Sequence, residues 1–141
     1  MNASEPANGI RVLCLHDGGE PQALLPAEML AAGGWLQFLG NFDIRRAPFE
    51  RVVTLQPDVV ILQLPMSALH ISRWISYIRM RWQNCAILVT GPLDVPYYRQ
   101  SALSYGADEF IPDEKLAHRL LPSILALRQK QIAPAIRVQA A

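Results

Sequence analysis

Five side chains of chemical interest stand at or just beyond the ends of short apolar runs. His16 and Asp17 follow IRVLCL, Gln63 lies near the end of DVVILQL, Thr90 closes CAILVT, and Asp113 comes two residues after DEFI. An imidazole beside a carboxylate titrates near neutral pH, so His16 paired with Asp17 or Asp113 would make a proton-sensitive element. Phosphoryl transfer onto a protein acyl group needs an anionic oxygen nucleophile, and the neutral amide of Gln63 is a poor one. Magnesium prefers hard oxygen ligands with one or two carboxylates among them; Asp17 with an imidazole and an amide is a weak set, and no specific metal site is expected. A cation would stabilise a phosphoryl group bound there. Asp113 would repel one unless its carboxylate turns away to cap the following helix.

Each of these residues also has a plainer reading. His16 suits a surface loop, Gln63 can satisfy loop backbone groups, and Thr90 fits a strand end in any fold. Gly18-Gly19 lacks the GxGxxG and phosphate-loop patterns and is explained by a sharp strand-to-helix turn. Cys14 and Cys85 lie inside apolar runs, where cysteine acts as a small hydrophobe. Trp74 and Trp82 fit a core better than a binding hot spot. There is no HExxH, CxxC or GxSxG, and His16, His70 and His118 fall on different elements.

The elements that must position these residues follow from periodicity. Ile10 to Leu15, Asp58 to Leu64 and Cys85 to Thr90 are β-branched and almost wholly apolar, as strands covered on both faces of a parallel sheet are. Shorter strands are expected at Phe42 to Ala47 and Asp108 to Ile111. Between them, Ile71, Trp74, Ile75, Ile78 and Trp82 recur at helical spacing, ended by Gln83-Asn84. A second helix runs from Val95-Pro96 to Tyr105, with Asp94 as cap and Gly106 as stop. A third covers Glu20 to Ala32 and closes at Gly33-Gly34, with Trp35 to Leu39 able to continue it, and a fourth covers about Phe49 to Gln56. The last is capped by Asp113 and runs toward Lys130 on Leu116, Leu120, Ile124 and Leu127, with Pro122 expected to bend or split it. Strands alternating with helices build a parallel sheet covered on both faces, whose chemistry belongs at the carboxyl ends of the strands.

At 141 residues, 51% apolar and 18% charged, the chain fits one globular domain with a single core. Residues 1–9 are expected to be disordered, 10–131 to fold, and 132–141 (Ile132 to Ala141) to form a tail or the start of a linker. A net charge of +1, with Arg45, Arg46 and Arg51 in one group and Arg73, Arg79 and Arg81 in another, argues against direct nucleic-acid binding. No window nears the roughly 18 apolar residues of a membrane span, and the start is not signal-like, so a cytoplasmic location is expected.

In order and spacing, the stretches VLCLHD, PDVVILQLP, ILVTG and GADEFIPD resemble the receiver domains of two-component signalling, over about residues 10 to 130. Pro57-Asp58 leading into one strand and Gly106-Ala107-Asp108 leading into another carry most of the likeness. The resemblance implies an α/β, flavodoxin-like (βα)5 doubly wound parallel sheet of strand order 2-1-3-4-5. In that family an acidic pair follows the first strand, a phosphate-accepting aspartate ends the third, a threonine or serine ends the fourth, and a lysine follows the fifth. His16 and Asp17 stand at the acidic pair, Gln63 at the acceptor, Thr90 at the hydroxyl and Asp113 at the lysine; only Asp17 and Thr90 match. Phe110 takes the position of the aromatic switch.

The chain thus resembles a degenerate pseudo-receiver. The resemblance implies no enzyme activity and no cofactor, and regulation through protein contacts. Receivers commonly communicate through their fourth helix, fifth strand and fifth helix. Here that face would use Tyr97, Tyr98, Arg99, Ser101, Tyr105, Lys115, His118 and Arg119, toward a protein partner or a second copy, with an output domain following in a longer chain. Two alternatives stay open: a flavodoxin-like small-ligand domain, and residual phosphotransfer through another acceptor. Against a standard receiver, the second helix is about a turn short and the segment Trp35 to Asn41 is long.

Overall fold

Five stretches of extended chain assemble into one parallel sheet. They are β1 (Ile10–His16), β2 (Leu36–Asp43), β3 (Val59–Gln63), β4 (Ala86–Gly91) and β5 (Glu109–Pro112), in the order β2-β1-β3-β4-β5. Helices α1 (Ala68–Arg81), α2 (Pro96–Tyr105) and α3 (Leu116–Ala140) follow β3, β4 and β5. The computed structural model describes residues 9–18, 33–46, 51–52, 54–92 and 96–140, and of residues 33 and 132–140 the backbone alone. The helix expected at Glu20 to Ala32, residues 49, 50 and 53 of the one at Phe49 to Gln56, the cap Asp94 and the N-terminus before Gly9 lie outside the described residues; of the rest of that short helix, Arg51 and Val52 are helical and Thr54 and Leu55 form a turn.

The near-continuous apolar strands have a direct cause, since alternate residues serve two separate cores. Leu13, Leu15, Val60, Leu62, Ile87, Val89 and Phe110 face Ile71, Trp74, Ile75 and Ile78 of α1 and Ala102 of α2. Val12, Cys14, Val59, Ile61, Leu88 and Ile111 face Leu116, Leu120, Ile124 and Leu127 of α3. Burial pushes the thiols of Cys14 and Cys85 up to about 12, so neither is a nucleophile at neutral pH.

The two aspartates that stood out in the sequence do one job twice. The Arg11 N–H donates to Asp58 Oδ2 at 2.9 Å, and the Asp58 N–H returns a bond to the Arg11 carbonyl at 2.8 Å. The Ile87 N–H likewise donates to Asp108 Oδ2 at 2.7 Å, and the Asp108 N–H to the Ile87 carbonyl at 2.8 Å. Each carboxylate supplies the rung that the backbone cannot yet supply where a new strand joins the sheet, and each also holds an arginine, Arg128 at 3.4 Å and Arg79 at 2.9 Å.

Three expectations are corrected. The second strand is Leu36–Asp43, not Phe42 to Ala47, so the extra length at Trp35 to Asn41 is mostly sheet rather than a continued helix. Its apolar pattern changes face part-way: Val12 pairs with Phe38 but Leu13 with Gly40, leaving Leu39 as an extra residue. Leu36 and Phe38 therefore join one core while Leu39 and Phe42 join the other, and a count in twos fails. Gly40 sits at φ 138°, where a Cβ would lie 2.8 Å from the Phe42 ring.

Next, α3 runs unbroken through Pro122 and continues past Lys130 to Ala140. Pro122 is on the solvent side, and the carbonyl it deprives of a partner belongs to exposed His118, where water can serve. Finally, Asp113 does not cap this helix. The cap position of the short 3-10 turn Asp113–Lys115 is Pro112, which makes no side-chain cap bond.

Candidate functional site

Cross-strand register sets Asp43, His16, Gln63, Thr90 and Ile111 in one row across the carboxyl ends of the strands. Partners in parallel register share a face and sit about 4.8 Å apart, so a single surface collects the polar residues of four strands.

Gln63 is the centre of that row and only 3% exposed. Its Nε2 donates to Asn41 Oδ1 at 2.7 Å and to the Leu15 carbonyl at 3.3 Å. The amide thus ties β3 to β1 and β2 with donor hydrogens that a carboxylate lacks. His16 faces its own loop: Nδ1 accepts from the Gly18 N–H at 3.2 Å, and its carbonyl accepts from the Ile44 N–H at 2.8 Å. Among the described residues His16 makes no ion pair with Asp17 or Asp113, the alternative to its loop reading; its Nδ1 serves the turn instead.

The histidine that meets Asp17 is His70, on the first turn of α1, with Nδ1 at 3.1 Å from Oδ2. The other Asp17 oxygen lies 3.8 Å from Arg45 Nε, which is also 3.6 Å from Asp43 Oδ1. Arg45 therefore bridges the carboxylates at the ends of β1 and β2. Its guanidinium lies over Gly18, where a Cβ would fall 1.6 Å from one of its nitrogens, and Gly18 has φ 70°. The Arg45 backbone N–H, 2.9 Å from Asp43 Oδ1, holds that carboxyl below its ordinary range.

Sequence reasoning placed Asp17, Gln63 and Thr90 at this edge but missed Asn41, Asp43, Arg45 and His70. Asn41 and Asp43 were hidden with the misread strand, and His70 comes from 53 residues downstream of Asp17.

Beyond Gln63, Thr90 is fully buried and its Oγ1 has no hydrogen-bond partner. Asp113 follows β5 with Oδ1 likewise buried and unpartnered, and its carboxyl is raised above the ordinary range by desolvation and by neighbouring Glu114. A raised folded value makes ionisation oppose folding: the contribution is complete below the ordinary carboxylate range and fades as pH rises through the folded value. Asp113→Asn is therefore expected to be more stable than the parent at pH 7 and to flatten the decline in melting temperature from pH 4 upward. A melting series against pH checks it; equal slopes would refute it.

No family model and no curated protein matches the sequence. Solved structures do match in three dimensions. The RcsB response regulator of Salmonella typhimurium superposes with a TM-score of 0.68 at 18% identity, over 87% of this chain and 61% of that one. The receiver domain of NtrC4 from Aquifex aeolicus gives 0.66 at 20% identity, over 85% and 97%. The response regulator domain of Thermotoga maritima CheB gives 0.62 at 17%, over 86% and 97%. The fold is that of a response-regulator receiver domain. Relative to the RcsB chain, this one spans 61% of the length.

On the receiver fold, the strand-end row is where the resemblance places metal and phosphoryl chemistry. The donors here do not fit a hard dication. Both Asp17 oxygens face cationic or cation-capable side chains, and Gln63 directs its nitrogen at neighbouring oxygens. Among the described residues no three His, Cys, Asp or Glu side chains converge as ligands. Phe110, at the aromatic switch position, is 6% exposed and packs in the core shared with α1 and α2.

The remaining sequence-assigned residues lie on α2, on the 3-10 turn after β5 (Lys115) and on the first turn of α3. Tyr97, Arg99, Tyr105, Lys115, His118 and Arg119 are exposed. Ser101 is not available for contact: 7% exposed, it lies beside Ala102 on the inward side of α2. Tyr98 packs partly into the core, and Arg119 already bonds Glu109 at 3.0 Å.

Proposed function

We propose that this chain is a regulatory domain of signal transduction that works through protein contacts without phosphoryl transfer at residue 63. The observation that carries the reading is the buried Gln63 amide, whose nitrogen donates to two oxygens where the family has a nucleophilic carboxylate. On this reading the domain is not an enzyme, acts in the cytoplasm and does not itself touch nucleic acid. An output domain or a separate partner reads its surface. Similarity to the longer RcsB chain, of which this one spans 61%, supports an output domain in a longer chain, and likeness to a LuxR-family DNA-binding response regulator from Staphylococcus aureus agrees with it.

Incubation with acetyl phosphate and magnesium, followed by intact-mass measurement, is expected to leave the mass unchanged. Addition of a phosphoryl group would overturn the reading in favour of transfer to another acceptor.

The contact face is proposed on α2, β5 and α3, where Tyr97 is 58% exposed and Arg99 makes no ion pair among the described residues. Tyr97→Ala combined with Arg99→Ala is expected to weaken dimerisation or partner capture by about tenfold or more with little change in melting temperature. Unchanged association in sedimentation or pull-down measurements would remove this face from the proposal. These two residues are cleaner probes than Tyr98 and Arg119, whose replacement would also disturb the core and the Glu109 pair.

A further inference from the structure

Between the turn after β2 and the first half of α1 lies a cleft of about 210 Å³, lined by Ile44, Arg45, His70, Arg73 and Trp74. Arg45 and Arg73 belong to two arginine groups that are separate in the sequence, and the fold brings them to one wall-to-wall site. Among the described residues that line it there is no carboxylate. Asp17 and Asp43 stand behind Arg45 and His70 as tethers. Among the described residues Arg73 has no ion pair. With Arg46 counted on Asp43, three arginines meet two carboxylates before His70 adds any charge.

The helix makes this arrangement less favourable still. Residue Ser67 caps α1, and the first turn holds no acidic residue; it carries His70, with Arg73 one turn on. The amino end of a helix bears partial positive charge and favours anions, so basic side chains gathered there oppose the dipole. An anion in the cleft would reverse the sign of that interaction and would be held by two guanidinium forks, the geometry that suits phosphate oxygens. The cavity is smaller than the roughly 300–1,000 Å³ of drug-sized ligand sites, so it suits a phosphoryl group with a few further atoms rather than a nucleotide.

We propose that this cleft binds a small phosphomonoester dianion through Arg45, His70 and Arg73. The inference goes beyond the reading of Gln63 and does not depend on it. A ligand seated there would join the turn after β2 to α1, giving the domain an input that needs no covalent modification.

The test is a calorimetric titration of the full chain with glycerol 3-phosphate at fixed ionic strength, with sodium chloride as the control titrant. Saturable one-to-one binding is expected, weakened about tenfold or more in Arg73→Gln. Arg73 is exposed, so this variant should keep the parent melting temperature. Lys130→Gln, an exposed residue of α3 on the opposite face of the sheet, should bind as the parent does. Absence of saturation, loss of the signal against the chloride control, or parental affinity in Arg73→Gln would each overturn the proposal. A covalent mass gain with acetyl phosphate would strike the Gln63 reading alone, so the two failures are distinguishable.

Discussion

Asp108→Ala is expected to cost about 2 kcal/mol of folding free energy, seen as a fall of roughly 5–10 °C in melting temperature. The side chain itself is partly exposed, and a surface ion pair such as Arg79–Asp108 is worth little alone. The cost comes from the other end of the carboxylate. Ile87 is fully buried, and its N–H has Asp108 Oδ2 as its acceptor at 2.7 Å; alanine leaves that donor without a partner inside the sheet. Arg79 also bonds the Cys85 and Gly106 carbonyls, so the loop before β5 loses one of the ties that set its position. Asp108→Asn keeps an acceptor oxygen for Ile87 and should recover more than half of the loss. Urea unfolding with an unchanged m-value separates the two variants; equal losses for asparagine and alanine would assign the effect to charge and refute the rung.

That rung also explains why so much of the fold was legible. The pairs Pro57-Asp58 and Ala107-Asp108 looked like family signatures, and the structure gives them a local reason, since each aspartate completes a strand junction. The apolar residues of α1 could be counted at helical spacing because that helix buries one unbroken face, Ile71, Trp74, Ile75 and Ile78. The second strand was misplaced where local counting loses its meaning: Leu39 is an extra residue, and the apolar side chains before and after it serve different cores.

The candidate site divides in the same way. Gln63 and Thr90 end strands that were read correctly, and register alone sets them side by side. Arg45 and His70 meet at Asp17 only through the folded chain, with nothing in their spacing to announce it. Ser101 was set on the contact face by the resemblance alone, yet the helix turns it toward the core.

Gln63→Glu tests the centre of the row with almost no change in shape. The parent amide offers Nε2–H to Asn41 Oδ1 and to the Leu15 carbonyl, whereas an ionised carboxylate offers both only negative charge. Asn41 can turn its own amide to donate instead; the Leu15 carbonyl cannot. The new carboxyl is also buried, so burial and the facing oxygen together disfavour its charged form and raise its folded value above the unfolded one of about 4.3. At pH 7 the variant should therefore be less stable than the parent by about 2–4 kcal/mol.

The pH dependence has a fixed sign. Below about pH 4 the carboxyl is protonated in both states and can donate its own hydrogen to the Leu15 carbonyl, so the variant should approach the parent. As pH rises, the unfolded chain releases its proton first and stability falls, levelling off only once the folded carboxyl has ionised. Melting curves of parent and variant between pH 4 and 8 should diverge steadily upward in pH. Parallel curves would mean that residue 63 does not sit against the Leu15 carbonyl as a donor, and the proposal of a domain without phosphoryl transfer at residue 63 would lose its support.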